Sequence, residues 1–248
     1  MSGERATRER ATREASLLAT WEAGLGAPPA GRALLLHRAA RPDADPTAVP
    51  VGERETDLIA LRRALFGERM EVRLDCAACG ADMEFELDAA AVAGSIGGRG
   101  SESVVRVQEG GWDVEFRLPS VADLHAAARA AQPRAELLAR CLVSAERGGV
   151  AAAAGELPLP VQRRIAEAVE AADPGADLTL NVACPECDAA TRAELDIASY
   201  LWTELDSWAR DVLLDVHLLA TAYGWSEPEI LALSPLRRRY YLELCADV

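Results

Sequence analysis

The chain has 248 residues, enough for one large domain or two small ones, and half of it is apolar, so a sizeable core is available without disulfides. Its formal net charge is −14 and all 26 basic residues are arginine. That balance argues against nucleic acid and against an anionic membrane surface as partners, because both are bound largely through excess positive charge. Aromatic residues make up only 5% of the chain, and Ala, Leu and Val dominate its apolar content, which favours helix over sheet.

Residues 1–15 contain the unit R-A-T-R-E twice and no apolar face, which predicts a disordered or loosely helical arm. Residues 16–40 have a helical pattern broken between Gly24 and Gly31, with Trp21 and Leu34-Leu35-Leu36 as core candidates. A polar loop with three prolines follows. Residues 56–66 then predict a short amphipathic helix with Leu58, Leu61 and Leu65 on one face.

Residues 70–74 and 83–87 alternate like strands on either side of C-A-A-C-G. Residues 93–103 read as a flexible loop, and 104–107 with 112–118 as a hairpin around Gly110-Gly111. Ser120 followed by Asp123 is an approximate capping box. It opens helices expected over 121–131, 135–146 and 160–172, separated by Pro133 and the loop 148–158.

The earlier pattern then returns. Residues 178–182 alternate, C-P-E-C-D follows, and a second strand starts over 193–195. Both stretches end in Glu-Leu-Asp, an internal correspondence of strand, knuckle and strand. From Ile197 to Tyr223 apolar residues recur every three or four positions, predicting one long helix stopped by Gly224. Ser226 with Glu229 forms a second capping box, and Ser234-Pro235 opens a last helix carrying Arg237-Arg238-Arg239 and Tyr240-Tyr241.

Four of the six cysteines, Cys76, Cys79, Cys184 and Cys187, lie in two C-x-x-C pairs. Four thiolates suit a tetrahedral structural Zn2+ and leave no position for water or substrate. The residue after the second cysteine of such a turn often needs a left-handed backbone, which Gly80 adopts freely and Asp188 tolerates. Pro185 stiffens the second knuckle. A thioredoxin-like pair belongs at a helix N-terminus, whereas strands follow both pairs here. Iron–sulfur clusters also use four cysteines, usually at other spacings. The long gap between the pairs implies a ribbon with a hairpin and helices inserted between its halves.

His37, His125 and His217 are not at ligand spacing to one another and read as packed or surface residues. Cys141 sits in an apolar run and reads as a core thiol. No nucleotide-binding, metalloprotease or nucleophile-elbow motif is found, so no catalytic activity and no small-molecule substrate are expected. The charged N-terminus lacks a secretory apolar segment and no apolar run approaches membrane-spanning length, so a cytoplasmic protein is expected. A zinc-ribbon regulator or nucleic-acid-binding module is the alternative reading. It needs a basic face near the knuckles, where the sequence places Asp75, Asp82, Glu84, Glu86, Asp88, Glu186 and Asp188 instead.

The C-terminal block over 199–244 carries a His on a long helix, then Tyr-Gly-Trp-Ser, a short helix ending in Leu-Ser-Pro, and Arg-Arg-Tyr. This block resembles the baseplate hub and assembly proteins of T-even-type phages and related contractile injection systems. The resemblance extends over about residue 62 to the end. It implies a component of a baseplate, incorporated in a phage-tail-like particle, or an assembly factor for one, whose partners are other baseplate or hub proteins. Tyr223, Trp225, Arg237, Arg238 and Tyr241 are the expected docking residues, being types favoured at interfaces.

The expected architecture is α+β, mostly helical, with a split zinc-ribbon-like module. Its segments are an arm (1–15), an N-terminal helical segment (16–69), the split module with its inserted hairpin and helices (70–196) and a C-terminal helical segment (197–248).

Overall fold

A computed structural model of the protein describes residues 2–96 and 103–246. In chain order it contains helices α1 (Ser2–Gly24), α2 (Pro29–Ala40) and α3 (Val51–Phe66), then strands β1 (Arg69–Asp75) and β2 (Asp82–Asp88) and helix α4 (Ala89–Ser95). Strands β3 (Val104–Glu109) and β4 (Trp112–Arg117) precede α5 (Val121–Arg129) and α6 (Pro133–Cys141). Next come β5 (Leu142–Arg147), β6 (Val150–Ala151) and α7 (Leu159–Ala172). Strands β7 (Thr179–Ala183) and β8 (Ala190–Glu194) lead to α8 (Ile197–Tyr223), α9 (Glu227–Leu231) and α10 (Pro235–Ala246). The fold class is α+β.

The chain forms two compact units, Met1–Ala39 with Ala198–Val248, and Ala40–Ile197. The expected boundary at residues 69 and 70 is not where the units divide, because α3 belongs to the second unit.

In the first unit the two ends of the sequence fold together. Of the disordered or loosely helical arm expected over 1–15, the described residues form the start of α1, whose Ala, Arg and Glu are good helix formers. Leu18 and Trp21 of α1, Leu36 and His37 of α2, and Leu201, Leu205, Ala209, Val212 and Leu219 of α8 are buried. Trp21 Nε1 donates to Asp206 Oδ1 at 2.7 Å. The Arg32 guanidinium lies 4.6 Å over the Trp202 ring, and Arg32 Nε caps the end of α1 by donating to the Gly24 carbonyl at 3.0 Å. Gly24 is required there, since a Cβ would fall 2.3 Å from Trp202 Cη2.

In the second unit the sheet runs β3-β4-β5-β6, antiparallel throughout. Trp112, Val114 and Phe116 alternate inward from β4 and join Val107, Cys141, Ala145, Leu157, Val161 and Ile165 in one core. Cys141 is buried there as expected, and burial pushes its thiol up to about 11. The β3–β4 turn has Gly110 and Gly111 at φ +57° and +81°, the conformation of a two-residue hairpin that favours glycine. The helix expected over 135–146 ends at Cys141, and the remainder is β5. β5 turns into β6 through Gly148 and Gly149 at φ +60° and +82°, the same device as the first hairpin. The expected loop over 93–103 starts inside α4, and its residues 97–102 lie outside the described residues.

The capping box opening α5 is formed as expected. The Asp123 carboxylate, 1% exposed, accepts from Ser120 N at 2.9 Å, Ser120 Oγ at 2.7 Å, Arg140 Nε at 2.9 Å and Arg117 Nη2 at 2.8 Å. The Arg117 guanidinium, opposed by burial and assisted by Ser120 and Arg140, holds this carboxyl well below the usual carboxylate range. A depressed folded pKa contributes stability that is fully present above the unfolded value of about 4 and is lost as pH falls toward the folded value. Asp123→Asn is therefore expected to lose about 2 kcal/mol at neutral pH, the scale of charge-assisted hydrogen bonds. Urea unfolding at neutral pH and below pH 4 checks this, because the variant should lose less stability in acid than the parent does.

Candidate metal centre

β1 with β2 and β7 with β8 form two separate antiparallel hairpins, and each carries a C-x-x-C at its tip. Asp75 pairs with Asp82 in the first and Ala183 with Ala190 in the second, so the connecting segments are equal in length. β8 begins at Ala190, earlier than the 193–195 expected from sequence. Cys76 N donates to Ala81 O at 2.9 Å and Gly80 N to Cys76 O at 2.9 Å. The equivalent bonds in the second hairpin are Cys184 N to Ala189 O at 3.0 Å and Asp188 N to Cys184 O at 2.8 Å. Gly80 at φ +72° and Asp188 at φ +58° are left-handed, as the motif requires; Asp188 is the one non-glycine residue with positive φ among the described residues.

The two tips meet. All four sulfurs, from Cys76, Cys79, Cys184 and Cys187, lie within 4.8 Å of one another. Cys76 Sγ is 3.7 Å from Cys187 Sγ, and Cys79 Sγ is 3.7 Å from Cys184 Sγ. Four Zn–S bonds of about 2.3 Å in a tetrahedron place sulfurs about 3.8 Å apart, so the spacing fits. The first cysteine of each pair is buried and the second exposed. Cys76 and Cys184 pack with Met83, Leu74 and Ala81, and Thr191 Oγ1 donates to Cys76 Sγ at 3.8 Å.

Backbone N–H groups of Cys79 and Ala78 aimed at Cys76 lower its thiol to about 6, which favours its thiolate form. The Ala81 N–H acts the same way on Cys79, but Cys187, Cys76, burial and Cys184 outweigh it and push that thiol up to about 12. Crowded thiols oppose a second negative charge among themselves, and a divalent cation removes that opposition.

The faces flanking the knuckles are not basic. Arg73 Nε pairs with Glu84 at 2.9 Å and Arg69 pairs with Glu86, so the arginines of the first hairpin are matched by carboxylates across the strands. This disfavours phosphate binding.

The expected docking residues are only partly brought together. Tyr223 stacks on Trp225 with ring centroids 4.7 Å apart, and Tyr241 meets both edge-on at 5.7 and 4.9 Å. Arg237 is exposed. Arg238 is not available for docking, being 4% exposed and paired inside the unit with Glu14 and with Asp215 at 3.7 Å. Consecutive helical residues point about 100° apart, so three arginines in a row cannot share one face, and the middle one faces inward.

The sequence matches the family of the T4 bacteriophage base plate protein over residues 35–201. The match covers about two thirds of the chain. The chain belongs to this family. The matched span contains the whole cysteine-bearing unit. It stops at residue 201, so most of the C-terminal block that carried the sequence resemblance lies beyond it. No curated protein and no solved structure matches the chain. Family membership supports a structural role in a phage baseplate, in the company of other baseplate proteins. No helix among the described residues is long and apolar enough to cross a membrane.

Proposed function

We propose that the protein is a baseplate component or baseplate assembly factor of a contractile injection system or phage-tail-like particle, with a non-catalytic role. A structural Zn2+ held by Cys76, Cys79, Cys184 and Cys187 clamps its two hairpins together. The observation carrying this reading is that the family match spans the unit whose hairpins bring the four sulfurs together. The zinc adds to the small apolar contact of Cys76 and Cys184 with Met83, Leu74 and Ala81, on hairpins whose strands are otherwise mostly half-buried or exposed. The protein is made in the cytoplasm and joins other hub or baseplate proteins there. The cluster of Tyr223, Trp225 and Tyr241, with Arg237, is a docking surface for one of them.

The test is an immunoblot of tagged protein across a sedimentation gradient of host lysate, paired with deletion of the gene. Co-sedimentation with sheath-containing particles supports a resident component. Absence from particles combined with loss of particles on deletion supports an assembly factor. Light fractions only, with particles unchanged on deletion, overturn the reading.

A further inference from the structure

Helix α10 leaves one face open. Leu236, Tyr240 and Leu244, four residues apart, are 74%, 65% and 50% exposed. The opposite face, with Arg238, is held inside its own unit. The open stripe is flanked by exposed Arg237 and Arg239 at the N-terminal end of the helix and by Glu243 toward its C-terminal end. Two turns of helix with apolar anchors at i, i+4 and i+8 are the form a helix takes when it lies in a groove.

The second unit contains such a groove, of about 1260 Å³, along α7. Leu137 and Leu138 of α6, with Leu159, Ile165, Ala166 and Val169 of α7, make its apolar surface. Charge along α7 runs in the same N-to-C order as on α10, basic first and acidic after. Arg163 lies early in the helix, Glu167 and Glu170 lie late, and Asp173 and Asp177 follow. Arg134 and Arg192 also line the groove, the latter 3.7 Å from Asp177. An antiparallel placement therefore sets Arg237 and Arg239 against the acidic end of α7 and Glu243 against Arg163. A parallel one sets like charges together, and it also aligns the helix dipoles unfavourably.

We propose that α10 of one copy of this chain docks, antiparallel to α7, in the α7 groove of a second copy. Because the two surfaces differ, the contact is heterologous, and repeating it gives a ring or an open string of subunits rather than a two-fold dimer. The pairing belongs to the purified chain and does not depend on the baseplate reading.

Sedimentation velocity of the full chain, from roughly 1 µM to several hundred micromolar, where a small interface associates, is the experiment. Wild type should show concentration-dependent growth beyond a dimer. Leu236→Asp on α10 and Ala166→Arg in the groove both change exposed residues, so circular dichroism should be unchanged while each variant alone stays monomeric. A 1:1 mixture of the two should form a one-to-one dimer and nothing larger, since one intact helix meets one intact groove. A wild type that stays monomeric throughout, single variants that still associate, or a mixture that stays monomeric while wild type grows would each overturn the proposal.

Discussion

Removing the Zn2+ proposed for the four cysteines is expected to unfold the cysteine-bearing unit while leaving the helical unit folded. Structural zinc contributes about 10–16 kcal/mol to the folding of small zinc domains. The whole stability of an ordinary domain is about 5–15 kcal/mol, so the two are of the same order. The hairpins here contribute little of their own. β1 buries Met70 and Val72, β2 buries Met83, and β8 buries Thr191, while the remaining positions on these strands are half-buried or exposed. Two-stranded hairpins are marginal alone in water. The ligands also come from points more than 100 residues apart in the chain. Zn2+ bound by all four would close a long loop, whose closure costs entropy that the hairpins alone do not offset.

The expected result is seen in thermal scans of the full chain with and without a strong chelator. Chelation should remove one cooperative transition and leave the other, and added zinc should restore it. Cys184→Ser should reproduce the effect of chelation, because Cys184 is buried and its hairpin has no other anchor of similar strength. Elemental analysis should find one zinc per chain in the parent and none in the variant. A chain with no bound metal that unfolds identically in chelator would remove the zinc from the account.

The parts of this site that could be read from sequence are those fixed by short-range chemistry. C-x-x-C spacing, the glycine at position 80 and the aspartate at 188 are local requirements of a knuckle, and both residues have the left-handed backbone. The repeat ending in Glu-Leu-Asp marked the two hairpins as equivalents, and Asp88 of the first indeed caps α4 by accepting from Ala91 N at 2.9 Å. Capping at Ser120 was legible for the same reason. β5 was not legible, because the run from Leu137 to Val143 continues a helical pattern and nothing local stops it at Cys141. A signal was nevertheless present: Gly148-Gly149 is the same two-glycine device as Gly110-Gly111, and a strand is needed on each side of it. The closure of α1 and α2 with α8 and α10 into one unit has no local signature at all. It depends on tertiary pairs such as Trp21 with Asp206, which lie at opposite ends of the chain.

Arg238→Ala is expected to cost about 3 kcal/mol of stability, the low end of what breaking a buried ion pair costs. Arg238 joins three helices: Glu14 is on α1, Asp215 on α8, and the arginine itself on α10. The low end applies because the side chains of Glu14 and Asp215 keep 13% and 28% of their exposure and water can partly replace the lost partner. Burial already raises the Asp215 carboxyl, against the pull of Arg238 and with the repulsion of Asp211 and Glu14. Without the arginine that rise is larger. A carboxyl whose pKa is higher folded than unfolded binds more protons when folded, so it weakens the fold as pH rises through the unfolded value of about 4. The cost of Arg238→Ala should therefore be greatest at neutral pH and shrink in mild acid. Arg238→Met combined with Glu14→Gln and Asp215→Asn should recover most of the loss, because the charges are removed together and the long apolar side chain keeps the volume. The arginine's Nε, which is buried with no hydrogen-bond partner, no longer has to be accommodated in that variant. Urea titrations of the parent, the single variant and the triple variant at two pH values separate these terms. A single variant as stable as the parent at neutral pH would show that the three helices hold together through their apolar stripes alone.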